Sequence, residues 1–158
     1  MVLKQEEADT LRMIEKYLIH PQLVKLPPAQ GTTIYDICYM KDNKRYDNMN
    51  LSTYRGRKNP NKVSYRILYD KCTMLVRIDT QDATHHINPD GKIEILPYQP
   101  HIHIYREGYG DKYAYLLPEA FSQTDDIVTL FMEFLSYSRV INADKISMIR
   151  QEALFDGY

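Results

Sequence analysis

Apolar residues recur three and four positions apart near both ends of the chain, and two positions apart through most of the middle. The first stretch, EEADTLRMIEKYLIHP, places Leu11, Ile14 and Leu18 on one stripe with Met13 and Tyr17 beside it, so it predicts an amphipathic helix. His20-Pro21 ends that helix, because proline disfavours helical geometry in the residue before it. The last stretch, TDDIVTLFMEFLSYSRV, repeats the pattern with Ile127, Leu130, Phe131, Phe134 and Leu135, with Thr124 as the expected N-cap and acids in the first turn. NADKISMIRQEALF reads as a second, shorter helix capped by Asn142.

Between them lie strands. TTIYDICYM is β-branched and aromatic, and VSYRILY and TMLVRID flank Asp70-Lys71-Cys72 as the arms of an antiparallel hairpin. Lys92 to Leu96, His101 to Arg106 and KYAYLLP are further short strands, the first entered through the turn Asn88-Pro89-Asp90-Gly91. Residues 41–62 are polar, basic and turn-rich, and predict either a binding loop or edge strands around Leu51 to Arg57. Strands in a run with helices at the ends predict an α+β fold. The expected architecture is a single domain over residues 1–158. A mostly antiparallel sheet of about five or six strands is packed by an N-terminal helix and two C-terminal helices, the first and the penultimate against one face.

Composition changes this picture little. Hydrophobic residues make up 44% and charged residues 26% of 158, ordinary for a folded soluble domain. No apolar run has the length of a membrane span and no signal-peptide block opens the chain, so a cytoplasmic protein without a membrane partner is expected. Cys38 and Cys72 lack metal-type spacing and could form a disulfide only from neighbouring strands.

Charge changes it more. Net charge is −1, yet residues 41–71 hold nine basic side chains against three acidic ones. An anionic partner is the expectation for such a segment, RNA ahead of DNA. Within STYRGRKNPNK, the forked guanidinium groups of Arg55 and Arg57 suit phosphate, Lys58 and Lys62 add point charge, and Tyr54 can stack on an unpaired base.

PHIHIYREGYGDKYAY carries the second candidate constellation. Strand alternation sends Ile102 and Ile104 to the core and leaves His101, His103 and Tyr105 on the opposite, solvent-facing side. Two histidines there can act as acid and base, with Arg106 holding charge, as a metal-independent ribonuclease requires. Imidazoles also bind metals, and His85, His86 and Glu107 are the candidate third ligands. The pattern defines no full ligand set, so neither metal nor cofactor is expected. Phosphate-loop, dinucleotide, serine-hydrolase and zinc-protease motifs are missing from the sequence. Fourteen tyrosines against four phenylalanines support an alternative, a non-enzymatic module of the inhibitor or antitoxin kind that docks a protein through a tyrosine-rich sheet face.

HIHIYREGYGDKYAYLLPEAF, with INPDG before it and DIVTLFMEFLSYSRVI after it, resembles a family of small bacterial proteins of unknown function carried by prophages and other mobile elements. The resemblance covers residues 60–141. More weakly, the H-x-H strand is similar to toxin-like proteins of toxin–antitoxin modules. These likenesses imply an accessory bacterial protein and assign no role to any residue.

Overall fold

The computed structural model describes residues 2–146. Helix α1 spans Gln5–Met13 and α2 spans Ile127–Tyr137. Strands β1 (Lys16–Leu18), β2 (Gly31–Lys41), β3 (Lys44–Arg55), β4 (Val63–Tyr69), β5 (Thr73–Asp79), β8 (His101–Ile104) and β9 (Ala114–Leu116) form a seven-stranded sheet in that spatial order. Every pairing in it is antiparallel. Strands β6 (His86–Ile87) and β7 (Glu94–Ile95) form a separate hairpin inserted between β5 and β8. The α+β architecture is as predicted, with more strands than the five or six expected.

Local chemistry explains the long meander. The β2–β3 turn consists of Asp42 and Asn43, both at positive φ (51° and 62°), the geometry whose twist matches a two-residue hairpin and which Asp and Asn adopt most readily after glycine. At the far end of β3, Gly56 sits where a Cβ would lie 2.4 Å from the Asn59 carbonyl oxygen. Glycine is the residue that fits there, and the turn closes through Gly56 N–H to Lys62 O at 2.8 Å.

One sheet face is the core. Tyr65 of β4 lies between Phe131 and Phe134 of α2, with ring centroids 5.0 and 6.2 Å apart, and its hydroxyl donates to the Ile127 carbonyl at 2.7 Å. Leu51, Ile67, Val76, Ile78 and Ile102 are buried in the same hydrophobic cluster, as are Ala8 and Leu11 of α1, which packs against β5. The predicted stripe Ile127, Leu130, Phe131, Phe134, Leu135 is buried throughout. The α2 N-cap is Asp126 rather than Thr124: its carboxylate accepts from Val128 N–H at 3.1 Å and from the Thr129 hydroxyl at 2.8 Å.

Three expectations are corrected. The first helix stops at Met13, and Lys16–Leu18 becomes edge strand β1. Residues four apart such as Ile14 and Leu18 satisfy a helix stripe, but burial over Lys16, Tyr17 and Leu18 alternates in, out, in, the period of a strand. Residues 44–55 are neither loop nor edge but one central strand paired on both sides. Its polar residues have partners on the second face: Asn50 donates to Asp36 at 2.9 Å and Arg66 to Ser52 at 3.3 Å. Asn142, expected to cap the last helix, instead bonds to Leu18; from Ser147 onward that helix lies outside the described residues. Cys38 and Cys72 are free, on β2 and in the β4–β5 turn.

Lys16 is fully buried, and its ammonium donates to the carbonyls of Arg12, Ile14 and Ser138 at 2.8–3.0 Å. It ties the end of α1 to the end of α2. Burial, and then the charges of Arg12 and Arg139, push it down to about 7.

Candidate functional site

The site grows out of register. Ser64 pairs with Asp79, Arg66 with Arg77, Asp79 with His101 and Arg77 with His103. Paired residues in neighbouring strands share a face. Ser64, Arg66, Arg77, Asp79, His101 and His103 therefore all project from the second face of the sheet, away from Tyr65, Ile78 and Ile102.

Ile102 and the histidines do divide between faces as predicted, but the histidine face is not wet. His101 is 2% exposed, His103 6% and Asp79 9%. The β6–β7 hairpin and the loop before β9 cover them: the His86 ring stands edge-on to His103 at 5.6 Å, and His103 Nδ1 lies 2.7 Å from the Asp111 carbonyl. His101 Nδ1 lies 2.8 Å from the Gln99 carbonyl. Both Nε2 atoms face Asp79 Oδ2, at 3.6 Å from His101 and 3.2 Å from His103. Arg77 Nε donates to the same oxygen at 2.9 Å, and another Arg77 nitrogen reaches Asp111 at 3.1 Å. Burial alone would push the Asp79 carboxyl up; the two imidazoles, Arg77 and Ser64 outweigh it and hold the group well below the usual carboxylate range. For His101, burial is likewise outweighed by Asp79 and the Gln99 carbonyl, so its pKa is raised.

Tyr105 and Arg106 are not brought to this cluster. Strand β8 ends at Ile104. The Tyr105 hydroxyl donates to the Leu3 carbonyl, and the Arg106 guanidinium lies over the Tyr113 ring, 4.2 Å from its centroid. His85 pairs with Glu94 at 2.9 Å, His86 with Asn88 at 2.8 Å, and Glu107 with the Gln5 N–H at 2.8 Å, so these three also have other partners.

The basic segment is divided by the fold. Lys41, Lys44, Arg45 and Lys71 belong to the turns at one end of the hairpins, and residues 55–62 to the other end. Arg55 is turned inward, donating to the carbonyls of Pro60 at 2.7 Å and Pro28 at 3.2 Å. Arg57 and Lys58 are exposed on the turn. Tyr54 and Lys62, however, line a cleft of about 260 Å³ together with Ser64, Arg66, Arg77, Asp79 and Asp82. A second cavity of about 540 Å³ continues past Arg66 and Arg77 toward Tyr105 and Asp111.

Arg66 and Arg77 stand directly opposite each other on neighbouring strands, a like-charge pairing that costs stability unless compensated. Arg77 has two carboxylates. Among the described residues Arg66 has none, and its Nε donates to the neutral Ser52 hydroxyl. Sequence reasoning missed Arg66, Arg77 and Asp79 as site residues. The available signal was the period-two placement of Arg77 and Asp79 in TMLVRID and of Ser64 and Arg66 in VSYRILY.

A sheet with one face under a helix and the other carrying a polar cleft beside a buried Asp–His–His cluster defines the class of this molecule. Over residues 3–140 the chain matches, and belongs to, the Family of unknown function (DUF6978). No curated protein and no solved structure shows significant similarity to it.

Proposed function

We propose that the protein binds single-stranded RNA, in keeping with an accessory protein of a mobile element, through the cleft formed by β3, β4 and β5. The observation that carries this reading is Arg66, a half-buried guanidinium with no carboxylate partner among the described residues, held opposite Arg77. A phosphate placed between the two would supply the missing negative charge through forked hydrogen bonds. Lys62 adds a third cation to the cleft, against Asp79 and Asp82, and Asp79 is already engaged by Arg77. Tyr54 offers the aromatic surface on which an unpaired base stacks, which favours single strands over duplex.

Binding rather than cleavage is the reading that the geometry favours. An acid–base pair must reach the scissile group, and the imidazoles of His101 and His103 are buried with both ring nitrogens facing protein atoms. A protein-docking tyrosine face has less support, because Tyr39, Tyr65, Tyr105 and Tyr113 are buried and the exposed Tyr17, Tyr98 and Tyr109 lie on β1, in the loop before β8 and in the loop before β9, not in a row along one sheet face.

The test is fluorescence anisotropy with labelled single-stranded RNA, duplex RNA and single-stranded DNA at low salt. Arg66→Glu is expected to weaken RNA binding at least tenfold while the fold is retained. Failure of the wild-type protein to bind any of the three would overturn the proposal.

A further inference from the structure

We propose that Asp79, His101 and His103 form a binding site for a divalent transition-metal ion, held by one carboxylate oxygen and two imidazole Nε2 atoms. Backbone carbonyls only accept, so the Nδ1 atoms next to Gln99 O and Asp111 O carry the protons of these rings. Where the rings are neutral, the Nε2 of each is a lone pair, and both face Asp79 Oδ2, which is itself an acceptor. These three buried atoms need positive charge among them, supplied either by protons on the Nε2 atoms or by one shared metal ion, and the spacing and the supporting contacts favour the ion.

Spacing fits an ion. The three ligand atoms lie within 4.8 Å of one another. A tetrahedral centre with bonds of roughly 2.0–2.1 Å has donor-to-donor edges of about 3.3–3.4 Å, and the observed Nε2–Oδ2 separations of 3.2 and 3.6 Å bracket that value. The supporting contacts also match: a metal-binding histidine typically donates its other ring N–H to a carbonyl or carboxylate, which fixes its tautomer and aim. Both histidines do this through Nδ1. Arg77 Nε occupies one lone pair of Oδ2 and leaves the other for the ion.

Two nitrogens and one carboxylate oxygen are a donor set for zinc, iron(II) and their neighbours rather than for magnesium or calcium. Three protein donors leave a position for water or an outside ligand. Asp79 is the member of the cluster that also lines the cleft.

The experiment needs no RNA, so its outcome is independent of the proposed function. The purified full-length chain is stripped with chelator, and Zn²⁺ and Co²⁺ are titrated calorimetrically, with nuclear magnetic resonance observation of the histidine rings. One equivalent of each metal should bind, and paramagnetic Co²⁺ should shift or broaden the His101 and His103 signals selectively. Asp79→Asn, His101→Gln and His103→Gln should each weaken binding at least a hundredfold, whereas His85→Ala and Cys72→Ser should leave it unchanged. The wild-type resonance readout decides the matter if a ligand variant does not fold. Absence of stoichiometric binding, Co²⁺ effects centred on His85 or His20, or loss of binding in Cys72→Ser would overturn the site.

Discussion

Asn88 and Ala114 exchange two hydrogen bonds: the Asn88 side-chain amide donates to the Ala114 carbonyl and its oxygen accepts the Ala114 N–H, both at 2.9 Å. A side chain thereby pairs with β9 as a neighbouring strand would. At the opposite edge Asn142 does the same for Leu18 of β1, accepting its N–H at 2.8 Å and donating to its carbonyl at 2.9 Å. Unpaired strand edges invite association with other chains, and these two asparagines fill part of each edge of the seven-stranded sheet. Asn88 has a further effect, because its Oδ1 also accepts from His86 Nε2 at 2.8 Å, and the His86 ring packs on His103.

Asn88→Ala should therefore destabilise the protein by about 1–3 kcal/mol, the cost of stranding buried backbone groups. It should also loosen the β6–β7 hairpin above the histidines. Amide hydrogen exchange at Ala114 and His103 should quicken more than at Ile67 in the sheet centre. Equal protection at all three would show that the hairpin is held by other contacts.

Phe131→Ala tests the principal core. The ring is fully buried and tilted against Tyr65 at 5.0 Å, so its truncation should cost about 3–5 kcal/mol by chemical denaturation. A loss below about 1 kcal/mol, the scale of an exposed substitution, would place α2 elsewhere.

The sequence periodicity is a sound guide where one face alone decides burial. The α2 stripe and the alternation of Ile102 with the histidines follow from it directly. It fails where a tertiary element covers the other face. His101 and His103 read as wet because nothing in HIHIY reveals that the preceding hairpin, residues 86–95, folds over them. It fails again at residues 44–55, whose polar side chains Asn50 and Ser52 are buried against partners on β2 and β4. The candidate cleft was half legible: Tyr54 and Lys62 come from the basic segment, while Arg66, Arg77 and Asp79 depend on cross-strand register that no single strand announces.

The division of the basic segment makes a second prediction about RNA. Arg66→Gln should lower affinity and reduce the slope of log affinity against log salt by about one, because one phosphate contact and its released counterion are lost. Arg55→Gln should act through stability instead, since Arg55 holds the Pro60 and Pro28 carbonyls. Equilibrium binding at several salt concentrations, beside denaturation curves for both variants, separates the two. The reverse assignment, with Arg55 setting the salt slope, would move the interface to the 55–62 turn.

Tyr65 supplies the pH dependence with the clearest sign. Its phenol is buried beneath α2 and donates to the Ile127 carbonyl, and burial, ahead of the opposing Arg55 and reinforcing Asp126 charges, raises its pKa well above the usual tyrosine range. In the unfolded chain the phenol ionises near pH 10. Above that pH the unfolded state holds fewer protons than the folded state, so stability falls as pH rises. Below it, the contribution is fully present. Tyr65→Phe should thus cost about 0.5–1.5 kcal/mol at pH 7–8 through the lost hydrogen bond, and this deficit should shrink, then reverse, as the pH climbs past 10. Urea denaturation of both proteins between pH 8 and 11 measures the difference, in which the titration of the other tyrosines cancels. A deficit that stays constant across that range would mean that the folded protein ionises Tyr65 as readily as the unfolded chain does.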